Sequence, residues 1–338
     1  METVEVLPEC CGSGCTNCVL DHKIKPQNSV TNLDGPSVLN TGHYRLFECI
    51  LIDQCTENTF LFRFQLKIGA EDQQKQLIIT PGSHLVLRVP KHWRNDGRQF
   101  SGTFSKWRKL MAQFEPEARV QPKTIEKYDK TELDLYISRP YTPIRVNREE
   151  KSFDVLIKLE PGGEMSEYLT TLNIGEATEW KGAYTGLYWK RNMRKYLFGF
   201  AQGVGLAPIY SIMANILEDE EDETLLKLCY CCKDIDSILL RADLQTFGYF
   251  WNFDPVIYLS RETCSCGSGT ATNCTCLSSK KKYTERIFNH RLEKLDVQNL
   301  LRKIAQNSLQ VLICGNTSFT ELIEASITEL NIENYYKF

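Results

Sequence analysis

Arginine, tyrosine and threonine stand within four positions of one another in "SRPYTPI", residues 138 to 144. On an extended strand, alternation puts Arg139 and Tyr141 on one face and Pro140 and Thr142 on the other, with Pro143 ending the ladder. A guanidinium fork suits a pyrophosphate, a flat phenol suits the face of a ring system, and a nearby hydroxyl can bond a ring edge. Together they describe a grip for a flavin dinucleotide. An ordinary strand edge is the plainer account of the same letters.

Two glycine turns add to that chemistry. In "PGGEMSEYLTTL", Gly162 and Gly163 permit a tight turn, and Met165, Leu169 and Leu172 then recur at helical spacing. The first helical turn would aim free N–H groups at phosphate oxygens, with the Ser166 hydroxyl beside them. A capped strand-to-helix turn with no ligand is the competing reading. In "FAQGVGLAPIYSI", Gly203 and Gly205 fall between an apolar run and a helix-period segment, and Pro208 pre-sets the first helical turn. A Gly-x-Gly means little alone, but strand, turn and helix are the context that a dinucleotide turn requires.

The elements that must position these residues fall into two textures. From 43 to 187 the chain is a succession of short runs such as "TFLFRFQLKI", "HLVLRV" and "FDVLIKLE", broken by Gly, Pro, Asn and Asp. That pattern predicts an antiparallel β barrel. From 188 to 338, "KYLFGFA", "LLKLCYCC" and "SLQVLICG" are each followed by helix-period segments. Strand then helix, repeated, predicts a parallel-sheet α/β domain with ligands at the C-terminal ends of its strands. Residues 1–42 are polar, broken by Pro and Gly, and read as a cysteine-rich leader and linker.

With these motifs in this order, residues 43 to 338 resemble the NADH-cytochrome b5 reductases, of the ferredoxin-NADP reductase type of flavoprotein. The resemblance rests on "RPYTP", the "IK" of "VLIKLE", "GGEMSEYL", "GVGLAP", "SILLRADL", "LICG" and the terminal aromatic Phe338. It implies an FAD-binding barrel, a nicotinamide-binding α/β domain, hydride transfer from NADH to flavin, and single electrons passed to a haem protein such as cytochrome b5. By position it implies that Arg139 holds the FAD phosphates, Tyr141 lies against the flavin ring and Thr142 bonds its edge. Lys158 would stand near both cofactors, Gly163, Met165 and Ser166 would complete the phosphate cradle, and Cys314 with Gly315 would sit beside the nicotinamide. A buried structural cysteine is the other account of Cys314.

The departures from the family gather on the nicotinamide side. Ala207 replaces a usual threonine, Gln202 a usual glycine, and "NTSF" at 316–319 the usual prolines. Where the family has an acid that favours NADH over NADPH, this chain has Ser237, with Asp236 one place earlier, so NADPH is not excluded. A second reading follows: a catalytically weakened flavin-fold protein whose cysteine segments bind metal or a partner.

Composition bounds the rest. At 338 residues and 42% hydrophobic the chain can bury two domain cores, and its net charge of −3 gives no general attraction to nucleic acid. No apolar run is long enough to span a membrane and no targeting leader is evident, which together predict a cytoplasmic protein. Fourteen cysteines occur as close pairs rather than as a secreted framework. Cys10, Cys11, Cys15 and Cys18 look like the short motif called the oxidoreductase-like N-terminal domain. They could close a zinc site, or form a reduced thiol patch or a lipidated tail. Cys264, Cys266, Cys274 and Cys276 lie in a polar loop, 262–282, whose sulfurs suit zinc or cuprous copper but are also explained by low-complexity drift. The insertion 91–130 is basic overall and interleaves Trp93, Phe104 and Trp107. It reads as a mobile loop, a cover over the barrel, or a surface steering an acidic electron acceptor.

Overall fold

The computed structural model describes residues 37–69, 72, 74–111, 135–262, 276–282 and 285–338. The chain forms two compact units that divide chiefly between Tyr184 and Thr185, with the short segments 55–57 and 80–83 belonging to the second.

The first unit is one antiparallel sheet of seven strands: β1 (Arg45–Gln54), β2 (Thr59–Leu66), β3 (His84–Pro90), β4 (Tyr136–Tyr141), β5 (Pro143–Asn147), β6 (Ser152–Lys158) and β7 (Ala177–Tyr184). Strict alternation builds its inner face. In β2, Phe60, Phe62 and Phe64 are buried, while Leu61, Arg63 and Gln65 face the other way. With Phe47, Phe153 and Trp180 they make an aromatic core in which the Phe64 and Trp180 ring centroids are 4.8 Å apart.

The strand order is β4-β3-β7-β1-β2-β6-β5. The two edge strands, β4 and β5, are separated in sequence only by Thr142. A sheet whose opposite edges are one residue apart along the chain must roll up until those edges meet, so Thr142 marks the seam of a barrel. This corrects the expectation for Pro143. It leaves β4 as expected, but it opens a new strand in which it pairs with Val155 of β6.

Helix α1 (Ser105–Met111) follows short 3-10 turns at Lys91–Asp96 and Gly102–Phe104, and α2 (Glu164–Leu169) follows β6. Trp93, Phe104 and Trp107 are all buried in the barrel core, with Phe104 against Phe60 at 4.9 Å. The described part of the insertion is therefore a cover, not a free loop.

The second unit is a parallel six-stranded sheet of order β11-β10-β9-β8-β12-β13. Its strands are β8 (Tyr196–Gln202), β9 (Leu225–Cys232), β10 (Phe253–Leu259), β11 (Ile287–Phe288), β12 (Leu309–Cys314) and β13 (Tyr335–Lys337). Five helices accompany it among the described residues: α3 (Leu206–Glu218), α4 (Arg241–Phe247), α5 (Cys276–Lys280), α6 (Lys294–Leu301) and α7 (Thr317–Glu329). Helices on both faces explain why β8, β9 and β12 are nearly continuous apolar runs. The order of strands reverses between β8 and β12, which puts the topological switch point, and hence the ligand crevice of such a sheet, at their C-terminal ends. No helix among the described residues is long and apolar enough to cross a membrane.

Candidate cofactor sites

In the first unit the site is built on the barrel seam. Pairing of β4 with β3 sets Arg139 opposite Leu87 and Tyr141 opposite Leu85. Directly opposed residues share a face, so the arginine and the tyrosine lie on the side of the buried leucines, as period 2 requires. Tyr141 packs against Trp180 with ring centroids 6.0 Å apart, and the Trp180 indole N–H donates to Thr178 Oγ1 at 2.8 Å. Loss of solvent pushes the Tyr141 phenol above its ordinary range, with the Arg139 charge opposing. It is therefore a neutral O–H donor at physiological pH. Arg139 is half-buried and its Nη1 donates to the Ser138 carbonyl at 2.8 Å. Pro140 and Thr142 are half-buried beside it.

Lys158 ends β6 and is paired with Glu160, Nζ to Oε1 at 2.6 Å. The Glu160 backbone N–H donates to Ser166 Oγ at 2.9 Å, and its carbonyl accepts from the Gly163 N–H at 3.2 Å. Glu160 thus ties the lysine to the Gly-Gly turn. Gly162 holds φ +71, with open space where a side chain would stand. Gly163 caps α2, whose Met165 and Leu169 anchor it in the barrel core together with Leu172 just beyond it. One feature was not anticipated from sequence. The first turn of α2 carries Glu164 and Glu167, and Arg94 from the insertion bonds both, at 3.2 and 2.6 Å. Only the i, i+3 spacing of two acids at a helix start could have hinted that a cation must come from elsewhere.

In the second unit the turn after β8 and the turn after β12 meet at the switch point. Gly203 has φ +55 and open space beside it. Gly205 is needed for another reason: a Cβ there would stand 2.5 Å from the Cys314 carbonyl oxygen, inside any allowed contact. At Gly315 a Cβ would meet the Phe319 ring at 2.5 Å. Cys314 is half-buried, and loss of solvent pushes its thiol up to about 12. It is a neutral, polarisable contact surface and not a nucleophile. Pro208 is buried in the first turn of α3, where its missing N–H costs no helical bond.

The departures on this side turn out to be connected to one another. The Asn316 backbone N–H donates to Gln202 Oε1 at 3.2 Å, and Asn316 Oδ1 caps α7 by accepting from the Phe319 N–H at 2.9 Å. Asparagine therefore starts the last helix without prolines, and the glutamine bridges the two turns. Ala207 is buried within the first turn of α3, as a small apolar residue there can be. At the end of β9, Ser237 Oγ donates to Asp234 Oδ1 at 2.6 Å, while Asp236 pairs with Lys280 at 3.7 Å. Phe338 closes the chain beside β12, its N–H donating to the Ile313 carbonyl at 3.0 Å.

Cys10, Cys11, Cys15, Cys18, Cys264, Cys266 and Cys274 lie outside the described residues, and Cys276 is the first residue of α5.

Two sequence-family profiles match where the two sites stand: "Oxidoreductase FAD-binding domain" over residues 130–189 and "Oxidoreductase NAD-binding domain" over 200–250. The chain is therefore an oxidoreductase that uses FAD and a nicotinamide dinucleotide. The human protein called "NADH-cytochrome b5 reductase-like" is 29% identical over 100% of this chain and 95% of its own length. An Arabidopsis thaliana "NADH-cytochrome b5 reductase-like protein" is 36% identical over 62% of this chain and 52% of its own. Among solved structures, the cytochrome b5 reductase domain of Ulva prolifera nitrate reductase shares the fold, with a TM-score of 0.63 at 19% identity, covering 90% of this chain and 100% of that one. More narrowly, the chain is similar along its whole length to proteins called NADH-cytochrome b5 reductase-like, and it carries the FAD- and NAD-binding domains of an NADH-dependent oxidoreductase.

Proposed function

We propose that this enzyme takes hydride from NADH onto FAD and passes the electrons singly to a haem protein of the cytochrome b5 kind. The observation that carries this reading is the seam itself. A barrel closed at Thr142 puts a guanidinium, a neutral phenol and a hydroxyl within four positions of the chain, and the Gly162 turn has room beside it for phosphate oxygens. When bound, FAD supplies the capacity to accept two electrons together and release them one at a time.

The protein's own residues do the rest. Arg139 would neutralise the pyrophosphate, with Gly162, Gly163, Met165 and Ser166 shaping the turn against it. Tyr141 and Pro140 would bound the ring, the Tyr141 O–H and the Thr142 hydroxyl would bond it, and Lys158, steadied by Glu160, would offer positive charge near its edge. On the nicotinamide side, Gly203 and Gly205 would let the dinucleotide approach the backbone, Pro208 would fix the start of α3, and Cys314 with Gly315 would pack against the reacting ring. Excluding water there strengthens each of these contacts.

The experiment is an anaerobic titration of the purified, FAD-loaded protein with NADH, followed by mixing with oxidised cytochrome b5. Bleaching of the flavin bands at one equivalent, and then haem reduction, is the expected result. Flavin that binds but does not bleach would favour the weakened-enzyme reading. Bleaching without haem reduction would leave the reductase and remove this acceptor.

A further inference from the structure

The parallel unit holds a cavity of about 600 Å³ at the end of the sheet opposite the switch point, where β8, β9 and β10 begin. Its origin is geometric. Strand β9 has eight residues and extends about 26 Å, whereas α6, also eight residues, covers only about 12 Å. The strand starts therefore project past the last turn of α6, and the cavity opens there beside Leu300 and Ile304.

Most of the strand residues in the lining share one sheet face, with Leu226 and Asn252 joining them at the strand starts. Tyr196 and Phe198 on β8, Leu225 and Lys227 on β9, and Asp254 and Val256 on β10 are alternate positions, and the register sets Lys227 beside both Phe198 and Asp254. Phe198 and Val256 are almost fully buried and form the floor. Toward solvent the character changes to charge. Asp254 accepts from Lys227 Nζ at 2.7 Å and from Arg286 Nη2 at 2.6 Å, and the exposed Lys303 stands on the α6 side. Three cations against one carboxylate leave the mouth positive. Trp251, 75% exposed, lines the same mouth and offers an aromatic face to whatever enters it.

An apolar floor, an aromatic flank and a positive rim, in a volume within the usual range for small-molecule sites, specify the complementary ligand. We infer that this cavity binds an amphipathic organic anion, a carboxylate on an acyl or aromatic body. The apolar part would lie along Phe198, Val256 and Leu300 and the carboxylate would face Lys303 and the Lys227–Arg286 pair. It is separate from both cofactor sites, remote along the strands from the β8 and β12 turns, and independent of the electron-transfer reading.

The test uses the full chain loaded with FAD and saturated with NAD⁺, so that both cofactor sites are filled. Sodium dodecanoate is titrated below its micellar concentration, followed by tryptophan fluorescence and calorimetry, with dodecyltrimethylammonium as a cation of equal chain length. The expected result is one saturable equivalent of dodecanoate, bound at least about tenfold more tightly than the cation. Lys303→Glu should weaken it by about tenfold or more, and Leu300→Trp, which fills the cavity, should abolish it. Trp251→Ala should remove most of the fluorescence change. Absence of saturation, equal binding of the cation, or unchanged affinity in Lys303→Glu would overturn the proposal. Because Lys303 is exposed, that variant decides the matter even if Leu300→Trp does not fold.

Discussion

Arg139 and Cys314 would bring opposite kinds of chemistry to the two proposed sites, a permanent charge and a suppressed one. A charge-assisted bond from a guanidinium fork such as that of Arg139 is worth about 1.5–3 kcal/mol. Arg139→Ala should therefore weaken FAD binding by roughly 10- to 100-fold, with Arg139→Lys between, since it keeps charge but loses the fork. Fluorescence quenching of FAD titrated into apoprotein measures this, and unchanged affinity in Arg139→Ala would take the residue out of the site. Cys314 is held as a thiol because burial pushes it up to about 12. At pH 8 its thiolate fraction is about 10³-fold lower than that of an ordinary thiol near 9, so iodoacetamide should label it more slowly by about that factor. Peptide-resolved mass spectrometry reports the rate. Rapid labelling at pH 8 would mean that the sulfur is far more solvated than its surroundings here imply.

Elements, not single residues, decide how closely the cofactor turns approach. The turn between β8 and α3 lies against the end of β12, with the Gly205 Cα facing the Cys314 carbonyl. Gly205→Ala must push the two turns apart. NADH affinity and turnover should fall by about tenfold or more while flavin content stays the same. A variant that loses flavin as well would show a wider collapse. The insertion makes a separate prediction. Phe104 is fully buried among Phe60 and Phe62, so Phe104→Ala should cost about 3–5 kcal/mol in urea unfolding. A cost under about 1 kcal/mol would show that the cover is dispensable. These elements also show what the sequence could and could not disclose. The strands around Phe60 and Leu85 were legible because alternation is a local signal. The shared face of Arg139 and Tyr141 was legible for the same reason. Strand β5 was hidden because Pro143 reads as a stop. Strand β10 was hidden by Pro255, which the structure tolerates because β11 pairs only with Ile257 and Tyr258, farther along. The closing of the barrel, which needs β3 to find β4 and β2 to find β6, and the bond from Asn316 to Gln202 across more than a hundred residues depend on long-range pairing that no local window contains.

At the scale of the whole molecule the buried thiols make stability a function of alkaline pH. Cys49, fully buried in the first unit, and Cys314 in the second are both pushed up to about 12, chiefly by desolvation, and Cys229 and Cys232 are raised in the same direction. In the unfolded chain a thiol loses its proton near 9. Between 9 and about 12 the folded state therefore binds more protons than the unfolded one, and stability must fall as pH rises. Below 9 the contribution is fully present; above 9 it is lost at up to about 1.4 kcal/mol per pH unit for each fully buried thiol. The tyrosines at 141, 230 and 258, also raised by burial, extend the same trend upward. Urea midpoints measured from pH 7 to 11 should be level to about 9 and then decline. Cys49→Ala removes one titrating group from a core position, so its midpoint should start lower from the lost packing yet decline less steeply. If the wild-type midpoint were flat to pH 11, or the variant fell as steeply, water would have to reach these sulfurs in the folded state, and the dry interior assigned to both units would be wrong.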